Sequence, residues 1–174
     1  MPTTFTLIQP AVTVGAGGAS SISFTSIPAT YTDLVVKLSA RSARATEIRD
    51  EIFVRFNSDS GANYSYRNLR GSGSAAISQS GSSVNQVNRN DIPASGATSS
   101  TFSNHEIYIP NYAGSTQKSF SMDSVMENNA TESYMFLTAG LWTGTSAIST
   151  ITLTCEVSTF VQYSTAYLYG VSNA

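Results

Sequence analysis

The stretch Leu34-Val35-Val36-Lys37-Leu38-Ser39-Ala40-Arg41 decides the fold. Leu34, Val36, Leu38 and Ala40 share one parity, and Val35, Lys37, Ser39 and Arg41 share the other. That period of two is what a pleated strand imposes on its faces. It recurs upstream in Ser21-Ile22-Ser23-Phe24-Thr25, which Ile27-Pro28-Ala29 ends, and downstream in Ile52, Val54 and Phe56. Leu34, Val36, Leu38, Ile52, Val54 and Phe56 are therefore expected to face one core.

From Phe56 the chain passes through Asn57-Ser58-Asp59-Ser60-Gly61 into Tyr64-Ser65-Tyr66-Arg67-Asn68-Leu69, which predicts a β-hairpin. Arg44-Ala45-Thr46-Glu47-Ile48-Arg49-Asp50 is the one place with the look of a helical turn, and it reads as a loop. Between Gly71 and Ser100, Ser, Gly, Asn, Gln and Ala dominate, which predicts a long loop or a weakly paired excursion. Strands follow at 102–109, 116–125 and 134–142, with Pro110-Asn111-Tyr112-Ala113-Gly114 and Glu127-Asn128-Asn129-Ala130 between them. Two more, at 148–157 and 166–171, close the chain.

Eight to nine strands with turn signals between them predict an all-β, antiparallel β-sandwich of the jelly-roll type. Residues 3–9 form a short strand or arm, and Val14-Gly15-Ala16-Gly17-Gly18 breaks it. The expected organisation is an N-terminal arm or first strand over 1–18 and a single domain over 19–174.

Composition agrees and narrows the function. The chain has 174 residues, one domain by size. Only 11% of them are charged, well below the usual quarter or so, and Ser, Thr, Asn and Gly take the vacated places. A neutral hydroxyl and amide surface costs less to strip of water than an ionised one, so it suits a surface that a partner covers. The only cysteine, Cys155, excludes an internal disulfide and a cysteine metal cluster, and it reads as a buried filler. The start lacks a basic leader with an apolar h-region, and no run approaches the roughly 18 apolar residues of a spanning helix, so neither secretion by a standard signal nor a membrane is expected.

The net charge of −2 hides a division: residues 1–89 carry +3 and residues 90–174 carry −5. Either the halves present two opposed patches, or folding mixes them into a solvated face. Arg41, Arg44, Arg49, Arg55, Arg67 and Arg70 make up most of the basic half, and their planar guanidinium groups suit carboxylates. Nucleic-acid binding would call for more lysine and a basic net charge.

For chemistry the chain offers little. His105 is the only histidine, and on a strand His105 and Glu106 point to opposite faces and cannot act as a dyad. No nucleophile elbow, HExxH or phosphate loop occurs. The acids are scattered or adjacent, as in Asp50-Glu51, and give no glycosidase pair. Asn57, Asp59, Gly61 and Asn63 are spaced like part of a calcium loop, but no bidentate Glu follows. No catalytic residue, metal site or cofactor is therefore expected. The tyrosines, phenylalanines and Trp142 read chiefly as core and interface, with a sugar-stacking platform as the alternative.

Four strings remain: Tyr31-Thr32-Asp33-Leu34-Val35-Val36, Ile107-Tyr108-Ile109-Pro110-Asn111-Tyr112-Ala113-Gly114-Ser115, Gly140-Leu141-Trp142, and Tyr167-Leu168-Tyr169-Gly170-Val171. Together they resemble small structural proteins of tailed phages, cyanophages included, of the capsid cement or decoration type. The resemblance implies a non-enzymatic virion protein on the capsid surface. Its partners would be the major capsid protein and further copies of itself, as a dimer or trimer, with no nucleic acid or membrane. A tail-fibre or receptor-binding domain that recognises host-surface glycans is the alternative. Expected contact residues are Phe5, Leu7 and Ile8 in the arm and Arg41, Arg44, Arg49 and Arg67 in the basic half.

Overall fold

The computed structural model describes residues 4–129 and 132–172. Among the described residues there is no helix. Thirteen strands form: β1 (Phe5–Leu7), β2 (Val12–Thr13), β3 (Ser21–Phe24), β4 (Asp33–Ala40), β5 (Arg49–Phe56), β6 (Tyr64–Gly71), β7 (Ala76–Val84), β8 (Asp91–Pro93), β9 (Ser103–Ile109), β10 (Lys118–Met126), β11 (Tyr134–Trp142), β12 (Ile151–Cys155) and β13 (Thr165–Val171). Every pairing is antiparallel.

The larger sheet has nine strands in the order β1-β13-β4-β9-β10-β11-β6-β7, with β2 also on β13, and the smaller runs β3-β12-β5-β8. From β2 onward each connection crosses between sheets, except within the β6–β7 hairpin and the β9–β10–β11 meander. This is the jelly-roll wrap. The meander stands where a simple jelly roll has one strand, and β13, β1 and β2 extend the sheet beyond β4.

The six predicted core positions all lie between the sheets: Leu34, Val36, Leu38, Ile52, Val54 and Phe56 belong to the main cluster. Phe56 is its aromatic centre, with Phe120 edge-on at 5.1 Å and Trp142 at 5.8 Å. Burying each such side chain contributes about 1.5–3 kcal/mol.

Three sequence expectations need correction. The strand count among the described residues is thirteen, not eight to nine, because β2 and β8 are too short, and β7 too rich in serine, to carry a hydrophobic period. Of the two readings of 71–100 the long loop falls and the paired excursion stands: Gly73, with φ of 82°, occupies the first central position of a two-residue turn, and β7 returns along β6 for nine residues. Finally, Asn57-Ser58 does make a tight turn, both residues having positive φ, but β5 and β6 do not pair. The chain crosses there from one sheet to the other, and Tyr64 fixes the crossing by accepting from the Phe56 N–H at 2.9 Å. Parity says which residues face the core, and strands opposed across a core have the same parity as strands side by side.

Candidate interaction surface

The smaller sheet covers one face of the larger, and among the described residues nothing covers the other. Register turns that outer face into rows. One row reads Leu7, Tyr169, Val35, Tyr108, Ser121, Ala139, Arg67, Ser80 from edge to edge, each residue directly opposite the next. The next reads Tyr167, Lys37, Glu106, Asp123, Leu137, Leu69, Ser78. A third runs from Asn104 through Val125, Met135 and Gly71 to Ala76.

Both ends of this face are apolar. At the β7 end, Met135 is 62% and Leu137 59% exposed, with Leu69 and Val125 beside them, and Met135, Leu137 and Leu69 line a depression of about 360 Å³ with Gly71 and Ala76. At the β1 end Phe5 and Leu7 stand exposed next to Tyr169, which stacks on Tyr167 with centroids 6.5 Å apart. Between them lie the Lys37–Glu106 ion pair, half exposed on both sides, and Asp123. Tyr108 donates to Asp33 at 2.7 Å, and that bond to a carboxylate raises the phenol pKa above its ordinary value.

The residues expected to bind partners divide. Phe5 and Leu7 lie on the outer face, whereas Ile8 is half-buried against the core. The first three residues of the expected arm lie outside the described residues; the next ones run along the edge of the larger sheet as β1 and β2.

Three of the four arginines are consumed within the chain. Arg41 is buried and donates to the carbonyls of Ala97, Thr98 and Thr101 and to the Thr101 hydroxyl, at 2.8–3.1 Å. Burial lowers its pKa. Arg44 reaches Asp50 at 3.7 Å and Glu156 at 3.6 Å. Arg49 reaches Glu132 at 3.0 Å, Asp91 at 3.3 Å and Glu51 at 3.9 Å. Only Arg67 stands exposed on the outer face, donating to the Tyr66 carbonyl. Since Lys37, Arg44 and Arg49 all pair with carboxylates of the second half, folding mixes the two charge blocks.

The candidate chemical groups are likewise occupied or enclosed. His105 is fully buried; burial pushes its pKa down to about 3, and its Nε2 contacts the Ser103 hydroxyl at 2.9 Å. Cys155 is buried and its thiol pKa raised by that burial. Asp59 accepts from the Trp142 indole at 2.7 Å, from Gly61 at 2.9 Å and from Asn63, so the calcium-like spacing is spent on the crossover. Those bonds, the indole's foremost, hold its pKa below the ordinary value. Asp91 departs most among the carboxylates: burial pushes it up to about 7 despite the Arg49 guanidinium beside it. Among the described residues no cluster of His, Cys, Asp and Glu has metal-site geometry, and no helix is long and apolar enough to cross a membrane.

Leu69, Val125, Met135 and Leu137, exposed together on the outer face, were not among the residues expected to bind partners. The signal was present in Tyr134-Met135-Phe136-Leu137, which is apolar on both parities, where a strand with one wet face would alternate. No known protein family, curated protein or solved structure matches the chain.

Proposed function

We propose that this chain is a non-enzymatic structural protein of a phage particle, a cement or decoration subunit that lays the outer face of its larger sheet on the capsid shell. The observation that carries the reading is this uncovered face, apolar at both ends and mostly neutral between. Monomeric domains seldom expose contiguous apolar patches without an interaction to serve. Eight strands at about 4.8 Å spacing and about 20 Å length make a face of roughly 750 Å², close to the roughly 800 Å² per partner of a standard interface. A subunit that binds only the assembled shell stabilises it by mass action.

The glycan-binding alternative needs aromatic rings at a concave site. Trp142 is buried with its indole N–H bonded to Asp59, the outer-face tyrosines Tyr108, Tyr167 and Tyr169 are only half-exposed, and the exposed Tyr163 lies in the turn before β13. The uncovered sheet face and the docked N-terminal edge favour the shell.

Cryo-electron microscopy of purified particles carrying this chain tests the proposal. Density repeating over the shell lattice, with the Leu69–Leu137 face inward, is the expected result. Density confined to the tail, or a particle without the chain, overturns it. A Met135→Lys/Leu137→Lys variant should keep its unfolding midpoint, since both side chains are exposed, and lose most shell occupancy.

A further inference from the structure

The two edges of the larger sheet match one another in backbone, face and bulk. At the first edge, Ile8 donates to the Leu168 carbonyl at 2.9 Å and Ser172 donates to the Thr4 carbonyl at 3.1 Å, with Thr6 opposite Gly170 between them. The even-numbered residues thus turn their backbone groups toward β13. Because an antiparallel ladder alternates, Phe5 and Leu7 aim theirs away from the sheet. At the other edge Ser72 donates to the Ala75 carbonyl at 3.0 Å, and the register continues unbroken to Ser80. By the same alternation Ala76, Ser78 and Ser80 aim their groups outward.

These same residues carry their side chains on the outer face, Leu7 in the row of Tyr169, and Ala76 and Ser78 opposite Gly71 and Leu69. A hydrogen-bonded antiparallel pair requires directly opposed residues that agree in both respects. Direction agrees as well. The path from β1 to β7 has eight strands, an even number, so its two edges run oppositely and one copy can follow another without turning its outer face over.

Charge and bulk complete the match. Phe5–Leu7 and Ala76–Val84 contain no charged residue and no proline, the usual devices that keep a sheet edge from pairing. A bulge near Ser83, whose φ is 54°, ends the straight part of β7, and the straight part is longer than the three residues of β1. One edge presents Phe5 and Leu7; the other presents Ala76 and Ser78 beside the apolar depression at Leu69 and Met135. A two-fold pairing of β7 with itself would set small residues against small ones and leave that depression open.

We infer that the partner of β7 is β1 of a second copy of this chain, added antiparallel with Phe5 opposite Ser78 and Leu7 opposite Ala76. Repeated head to tail, the contact gives a ring if its rotation closes and a filament if not. It joins the apolar ends of neighbouring outer faces into one stripe. The contact is independent of the shell, so it is tested in solution without particles.

The experiment is light scattering on the purified full chain over a range of concentration, with Ser78→Pro and Leu7→Lys beside the parent. Ser78 does not use its N–H on β6, so proline there spares the fold and removes a donor from the new ladder. The parent should grow in whole multiples of its 18.4 kDa mass, and each variant should raise the dissociation constant about tenfold or more, given the bonds lost. Should Ser78→Pro fail to fold, Leu7→Lys, at an exposed position, still decides. A Leu7→Cys/Ala76→Cys variant, oxidised, should form covalent multimers, because the opposed Cα atoms would lie about 5.5 Å apart. A parent that stays monomeric at every concentration overturns the inference. So does association that Leu7→Lys leaves unchanged, or a double-cysteine variant that forms no multimers.

Discussion

Arg41→Met should destabilise the domain by about 2–4 kcal/mol although it removes no ion pair among the described residues, and the structure sets that scale. The guanidinium gives four hydrogen bonds to Ala97, Thr98 and Thr101, within a residue only 9% exposed. Bonds made by a charged group are worth about 1.5–3 kcal/mol each, but three of these come from one nitrogen and do not add. Relief of the buried charge offsets part of the loss, and methionine fills most of the space, which brings the net to the lower range. For a domain of this length each kcal/mol moves the melting temperature about 2–4 °C, so a fall of about 5–15 °C is expected by calorimetry or urea titration. Arg67→Gln, on the exposed face, should stay within about 0.5 kcal/mol of the parent. An Arg41→Met variant melting within about 1 °C of the parent would refute the assignment of Arg41 to the 97–101 loop and return it to the candidate contact residues.

Two further outcomes follow from the interior. Folded Asp91 keeps its proton up to about pH 7, while the unfolded chain releases it near the ordinary value of 3.8, so between these limits the native state binds more protons. Stability should therefore fall as pH rises through that window, by at most about 1.4 kcal/mol per unit from this group, and Asp91→Asn should flatten the slope; urea midpoints for both proteins from pH 4 to 8 test this, and parallel curves would contradict it. At Gly140 an added Cβ would run into the Phe120 ring, which cannot swing aside because it is packed edge-on to Phe56. Gly140→Ala should thus cost about 1–3 kcal/mol in chemical denaturation, and a neutral result would show that this part of the core is looser than described.

The alternating runs determined much of this protein by themselves. The strands near 34–40 and 52–56 were legible because water on one side and a core on the other force a period of two, and those near 103–109, 118–126 and 134–142 from the turn strings that separate them. The scarcity of histidine, cysteine and charge similarly bounded the chemistry to be expected. What parity could not convey was partnership: Phe56 and Tyr64 look like two sides of a hairpin, yet they belong to opposite sheets, because the same hydrophobic demand is met beside a strand or across from it. Nor could the sequence sort the arginines. Arg41 and Arg67 are the same residue in similar strand-like text, and only the fold brings three carbonyls around one and leaves the other on an open face. The outer surface is the clearest case. Met135 and Leu137 become a patch only when register sets them beside Val125 on the preceding strand and Leu69, far away along the chain, and the pairing with Leu69 is decided by the packing of two sheets on a common core.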